Sequence, residues 1–506
     1  MVNRTKFVEY VQLREAEEGK ATSSSDSGGS DDGGMSTKLT LGDGNDYEPF
    51  MVSDDSKSEH YGKNKNLAPI VRAFKEGANW GWSKDDKSGE DKPVKISGRK
   101  LFLAGGAVRD HLKGKKARNI ELGTNASPDE VYHILKQNGF DFVNKEKGTK
   151  SDAKNKTKNP GNQSFWVEKT SKNGRPFIFG VQINEDEFEL SVFSKSPKGM
   201  VDVDAESGSQ KEDAAGRDFT MNSMYILLSN DNGPNKELVD FYGGSHHLKS
   251  GQVMPVGDMS KKFKEDPSRI LRYVRMLAGY GNPDKVSGEH KETLGKLGGL
   301  LGKLDRKTIM DEFKKGMKKD DCDSRSYIKL FKDLGLLGHL FPGKALSEDI
   351  PKECSEMGDK QMPLAWLLKN NPVESLGDLG MDEEDTKKIG FLIKSLGITP
   401  DIDPMGLDEL TKNYYSSGVS SRKLRDWATK VGGIESPVMD AFLQHVKSPR
   451  VRVITVGDDG EEHIGEEFID LVDPFTGERM DDLIEDRKKS IEYNNFKKHM
   501  SHMKPV

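Results

Sequence analysis

This 506-residue sequence predicts a mixed α/β domain followed by an all-α half, with a disordered segment in front. Three observations carry that prediction. From about residue 67 to 285, short apolar runs of strand type alternate with helical spacing and Gly turns. From about 262 onward the apolar residues recur at helical spacing. Near the start, "ATSSSDSGGSDDGGMS" offers Ser, Gly and Asp with nothing to bury. The expected division is 1–65 disordered, 66–245 α/β, 246–345 and 346–450 helical, and 451–506 an acidic extension.

In chain order, the first 17 residues could form a docking helix. "NLAPIVRAFKEG" has helical spacing, and "KLFLAGG" reads as a strand ending in a Gly turn. "AVRDHL" opens a helix behind that turn, and "ARNIELGT" is a short strand. "SPDEVYHILKQNG" has a Ser cap, Pro at the first helical position, early acids and a closing Gly. "DFVN", "SFWVEKT", "PFIFGVQI" and "EFELSVF" are strand-like, giving a sheet of about five strands. The lysine-rich "NKEKGTKSDAKNKTKNPGNQ" interrupts them. It reads as a solvated hairpin tip, with a grip on RNA phosphates as the alternative. Helices follow in "DPSRILRYVRMLAGYG", "DRKTIMDEFKKGMKK", "RSYIKLFKDLGLLGHLF", "MPLAWLLKN", "EDTKKIGFLIKSLG" and "SRKLRDWATKVGG", without a repeat of constant period. The last stretch reads as acidic and irregular.

Composition narrows the class. Only 33% of residues are hydrophobic and 32% are charged, too sparse for one packed body over the whole length. The net charge of −6 gives no overall basic signature, which leaves a local basic groove as the only electrostatic route to nucleic acid. Two cysteines, Cys322 and Cys354, without CxxC spacing argue against a disulfide framework or a structural zinc site. No apolar run reaches the length of a membrane span and the N-terminus lacks a secretory pattern, so a cytoplasmic protein is expected.

The chemistry concentrates in "LAGGAVRD". A strand, a Gly pair and a helix start place N–H groups at one point, an arrangement that favours phosphate at Gly105 and Gly106. Arg109 would add a charge-assisted fork. Four blocks follow in order: "ARNIELGTNASPDEV", "EDAAGRDFTMNSM", "ELVDFYGGSHHLKSG" and "FKEDPSRILRYVRMLAGYG". With the later "LDRKTIMDEFKKGM" and "GLLGHLFPG", residues 100 to 345 closely resemble the tRNA CCA-adding enzymes and bacterial poly(A) polymerases of the polymerase-beta-like nucleotidyltransferase superfamily. The resemblance implies an α/β nucleotidyltransferase head, a helical neck carrying the nucleobase and RNA motifs, and a helical body and tail. It implies metal-dependent addition of nucleotides from ATP or CTP to an RNA 3′ end, with tRNA as the expected RNA. Gly105, Gly106 and Arg109 would hold the triphosphate. Asp213, Arg217, Asp218 and Asn222 would shape the sugar and phosphate side of the pocket. Asp266 and Arg269, which share a helix face by their spacing, would read the base, and Arg272 and Arg275 continue that face. A surface ion-pair ladder is the plainer reading of the same residues.

One tripeptide departs from the pattern. The family's metal site is Asp-x-Asp, and here Asn119 and Glu121 stand in those positions. On a strand the two would point to one side. Glu121 keeps a charged oxygen donor, whereas Asn119 gives a neutral one. Gly216 replaces the first of two arginines, and Ser194 an arginine closing "FELSVF". Glu189 alternates to face a neighbouring strand's metal ligand, or is an ordinary exposed position. Three outcomes stay open: an enzyme using Glu121, Asn119 and Glu189 with Mg2+ or Mn2+, a silent module binding nucleotide or RNA, and an assembly protein on the same fold. Smaller signals read plainly: His246 and His247 as loop residues, "DLVDPFTGERMDD" as a turn, and "SRKLRDWATK" as an exposed helix face rather than an RNA track, while Trp80 and Trp82 suit packing at least as well as base stacking.

Overall fold

The computed structural model describes residues 37–41, 47–57, 62–84, 91–117, 119–143, 163–171, 176–194, 208–317, 323–399, 402, 404–447, 450–456 and 462–468. The expected docking helix at 1–17, the lysine-rich run before Gln163, the side chains of Trp80 and Trp82, and "DLVDPFTGERMDD" lie outside the described residues. Two compact units divide the chain. The first holds residues 1–262 and 280–286, the second 263–279 and 287–506.

The first unit is built on strands β1 (Thr37–Thr40), β2 (Phe50–Ser53), β3 (Ala78–Lys84), β4 (Asp91–Ile96), β5 (Leu101–Ala104), β6 (Glu121–Thr124), β7 (Asp141–Phe142), β8 (Gln163–Thr170), β9 (Pro176–Ile183), β10 (Asp186–Val192), β11 (Met224–Leu227), β12 (Asn232–Asn235) and β13 (Glu237–Asp240). Nine of them form one mixed sheet in the order β1-β13-β11-β5-β6-β10-β9-β8-β7. The sheet is therefore larger than the five strands expected. β6 and β10 run parallel, as do β7 and β8, and the other neighbours are antiparallel.

Part of the stretch expected to be disordered is ordered. β1 pairs with β13, and β2 with β12. Arg72 ties β2's end down through Asp54 at 2.6 Å, and Asn235 donates to the Phe50 carbonyl at 3.3 Å. These strands are four residues long and find partners nearly 200 positions away. Local periodicity cannot report such pairing. The C-terminal stretch is likewise not wholly irregular: β14 (Arg450–Val456) and β15 (Glu462–Phe468) form an antiparallel pair.

The helix Pro128–Gln137 has the caps its sequence announces. Ser127 and Glu130 form a reciprocal capping box, with Pro in the first turn. The second unit is helical, as expected. The helices Arg306–Met317 and Ser324–Asp333 meet around Phe313, Tyr327 and Phe331, whose rings lie 5.2–5.4 Å apart. Gly316 admits the Tyr327 ring where any Cβ would collide with it. Among the described residues, no helix is long and apolar enough to cross a membrane.

One row across the sheet positions the site. By register, Tyr225, Ala104, Glu121, Glu189, Gly180 and Trp166 follow one another from β11 to β8. Trp166 is buried and its indole lies over Gly180, so a Cβ there would collide with the ring. Gly180→Ala is expected to lower stability by about 1–3 kcal/mol through overpacking. A urea unfolding midpoint equal to that of the parent chain would contradict this packing.

Candidate active site

β6 begins at Glu121, and its parallel partner β10 sets Glu189 beside it in register. Register neighbours on adjacent strands project from the same face, so both carboxylates leave the sheet together. Glu189 is exposed, and the Glu121 side chain is 44% exposed. Asn119 is exposed and sits in a bend ahead of the strand. The ladder itself reaches back to Ile120, whose carbonyl accepts from the Glu189 N–H at 3.3 Å. The acid pair that the sheet itself aligns is Glu121 with Glu189.

Gly105 closes β5 with φ 65°, a backbone region that disfavours side chains. A Cβ at this position would collide with Glu121 Oε2 and lie 2.5 Å from Arg217 Nη1. The Gly turn, the carboxylate and the guanidinium thus meet at one point. Gly105 spends its own N–H on the Met224 carbonyl at 3.2 Å. Its contribution is the missing side chain, while Gly106 opens the helix Gly106–Leu112.

Arg217 is the buried half of that meeting point. Its Nη1 lies 3.7 Å from Glu121 Oε2 and donates to the Asn222 carbonyl at 3.0 Å. Its Nε donates to Asp213 Oδ2 at 3.3 Å and to the Tyr225 hydroxyl at 3.2 Å. The Tyr225 hydroxyl donates in turn to Asp213 Oδ2 at 2.6 Å. Burial works against the charge on Arg217, but Tyr225, Asp213 and Glu121 outweigh it and hold its pKa above the ordinary value. Tyr225 is pushed well above the usual phenol range, first by burial, so it stays protonated.

Several residues expected to touch nucleotide act inside the protein. Asp213 is fully buried beneath Arg217. Asp218 Oδ1 accepts from the Phe219 N–H at 2.8 Å and from Asn222 Nδ2 at 3.1 Å. Arg109 is also buried. Its Nε and Nη2 donate to Asp110 Oδ1 at 2.9 and 2.7 Å, its Nη1 to Asn222 Oδ1 at 2.6 Å, and its Nη2 to the Tyr280 hydroxyl at 3.0 Å. The guanidinium also stacks 4.0 Å over the Tyr280 ring. Burial first, with Asp110 adding to it, pushes the Tyr280 hydroxyl up to about 12. Arg109 therefore braces the helix Gly106–Leu112 against Asn222. His246 and His247 lie in the helix Gly244–Ser250 rather than in a loop, and His247 Nδ1 meets Thr220 Oγ1 at 2.9 Å.

The second unit holds the remaining candidates. Arg269 is buried, with Nη1 3.3 Å from Glu265 and Nε 3.8 Å from Asp266. Asp266 Oδ1 also accepts from the Ser268 N–H at 3.0 Å and its hydroxyl at 2.6 Å, which fixes the start of the helix Ser268–Tyr280. Arg272 is half-buried on that helix, and Arg275 pairs with Glu312 at 3.2 Å. Sequence reasoning overlooked Glu265, although its i, i+4 spacing to Arg269 was visible. It also overlooked Asp110, Tyr225 and Tyr280; the two tyrosines carry no local signal beyond the need of a buried hydroxyl for a partner.

Residues 101–254, which contain both carboxylates, Gly105 and the Arg217 network, match the model of the poly(A) polymerase head domain. The match covers that stretch of the chain. The head domain's relatives include poly(A) polymerase I of Salmonella typhi, 28% identical over 291 residues, which cover 54% of this chain and 52% of that protein. Mitochondrial CCA tRNA nucleotidyltransferase 1 of Mus musculus is 29% identical over 310 residues, covering 58% of this chain and 62% of that protein. The chain thus spans about half the length of the curated relatives it matches. Among solved structures, a Thermotoga maritima CCA-adding enzyme complexed with tRNA_CCA aligns at a TM-score of 0.48 and 17% identity, covering 78% of this chain and 85% of that one.

Removing one member of a buried charge pair strands the other, so in this head domain Asp213→Ala is expected to cost about 3–5 kcal/mol. Chemical unfolding checks it. Unchanged stability with a raised nucleotide KM would instead make Asp213 a direct ligand contact.

Proposed function

We propose that the chain is a template-independent RNA nucleotidyltransferase. It transfers nucleotides from ATP or CTP to an RNA 3′ end, with a tRNA end as the expected acceptor. The observation that carries this reading is the convergence at Gly105, where a carboxylate and a buried guanidinium meet at a turn with no room for a side chain. Glu121 and Glu189 form an anionic edge, Arg217 a fixed cation behind it, and Gly106 a helix start whose N–H groups suit phosphate. Within the second unit, Glu265 and Asp266 hold Arg269 from two sides.

The donor set suits a divalent ion that arrives with nucleotide. Among the described residues, no three carboxylate, imidazole or thiolate groups gather as a ready-made metal site. Two carboxylates in register do, and Mg2+ is commonly held by one or two carboxylates plus substrate phosphates. Glu121 and Glu189 would hold it, with the Asn119 amide oxygen near in sequence, and Mn2+ tolerates the same donors. The ion would supply Lewis-acid stabilisation of the transferred phosphate.

In the reaction, the oxygen of the RNA 3′-hydroxyl bonds to the α-phosphorus and the bond to the bridging oxygen breaks, releasing pyrophosphate. The hydroxyl proton leaves toward the Glu121–Glu189 edge. Arg217 cannot reorient without breaking bonds to Asp213, Tyr225 and Asn222, so its charge is already in place as negative charge builds on phosphate.

The test is incorporation of labelled ATP or CTP into tRNA lacking its 3′ end, with Mg2+ and with Mn2+. Glu121→Ala is expected to abolish product. Asn119→Asp is expected to raise turnover by restoring the lost negative charge, and a fall would show the amide to be a tuned feature. Absence of product with either metal, while nucleotide still binds, would make the chain a binding module.

A further inference from the structure

The second unit contains a hollow of about 340 Å3 that the transfer chemistry does not use. Its walls come from the helices Arg306–Met317, Glu383–Ser395 and Ser421–Asp426 and from the loop preceding the helix Met362–Leu368. Leu364 and Ile389 give it an apolar floor, while Lys314, Lys360, Lys388 and Lys423 face it against only two carboxylates, Asp359 and Asp385.

Two of these lysines are mostly buried. Lys314 binds Asp382 Oδ2 at 2.5 Å and also Asp385, with its side chain 15% exposed. Lys388 binds Asp359 Oδ2 at 2.7 Å. Burial opposes the charge on Lys314, but Asp382 and Asp385 outweigh it, so the group remains an ammonium. Lys423 has no ion pair among the described residues. Four lysines against Asp359, Asp382 and Asp385 leave a small positive excess, and a concave wall with such an excess concentrates anions. The volume is at the small end of ligand sites, roughly 300–1,000 Å3, which suits one small molecule rather than a polymer.

We propose that this hollow binds a small phosphate compound, up to about the size of a single nucleotide. The phosphate would sit against Lys423 and Lys360, and any ring against Leu364 and Ile389. The site lies wholly in the second unit and goes beyond the transfer reading, and its test needs no catalysis.

Lysine acetylation of the full-length chain, read residue by residue by mass spectrometry, decides it. AMP near four times its Kd is expected to slow labelling of Lys423 and Lys360 about fivefold, because labelling follows the unoccupied fraction. Lys296, whose side chain is 71% exposed on another helix, should label at the same rate throughout. Lys423→Gln should abolish the protection of Lys360. Protection by AMP but not by inorganic pyrophosphate identifies an organic phosphate, and equal protection identifies the phosphate itself. Unchanged labelling with both compounds, or protection by an RNA oligonucleotide alone, overturns the proposal.

Discussion

A guanidinium shut away from water governs the geometry of the head domain. Arg217 has a carboxylate beneath it, a phenol beside it, a backbone carbonyl across from it and Glu121 at its open end. Such a charge is tolerable only when its donors are matched. The matching groups come from the helix Gln210–Gly216, the turn at Asn222, β11 and β6, so these elements have one mutual arrangement that satisfies them all. Gly105 follows from the same constraint, because the space a side chain would need is taken by the ion pair.

That constraint also explains which site residues could be read from the chain. The Gly pair, the strand before it and the helix behind it are consecutive, and their residue types report local backbone needs directly. The capping box at Ser127 was legible for the same reason. The partners of a buried side chain are different. Arg109 has the type and spacing of a phosphate ligand, yet Asp110, Asn222 and Tyr280 occupy its donors, and Tyr280 is over 170 residues away. Tyr225 reads as one more aromatic in an apolar run until the fold sets it beside Asp213. β1 and β2 escaped because four residues are too few to show a period, and their partners lie far along the chain.

The departure at the metal motif looks different once the sheet is known. In the sequence, Asn119 takes a negative charge from a pair that should share a strand face. In the fold, Asn119 precedes the strand and the aligned acid is Glu189, brought to Glu121 by parallel pairing. Alternation within "EFELSVF" gave the correct face for Glu189, but only the register places it opposite Glu121 rather than one step along. Two carboxylates with a nearby guanidinium carry less net negative charge than three acids would. The proposed site would favour an ion already bound to phosphate over a bare one.

Electron paramagnetic resonance of Mn2+ tests this most directly. The Glu121–Glu189 edge predicts weak Mn2+ binding by the protein alone, strong binding when ATP or CTP is added, and loss of that gain in Glu121→Gln. Equal Mn2+ binding with and without nucleotide, or a nucleotide-induced gain that survives Glu121→Gln, would contradict it.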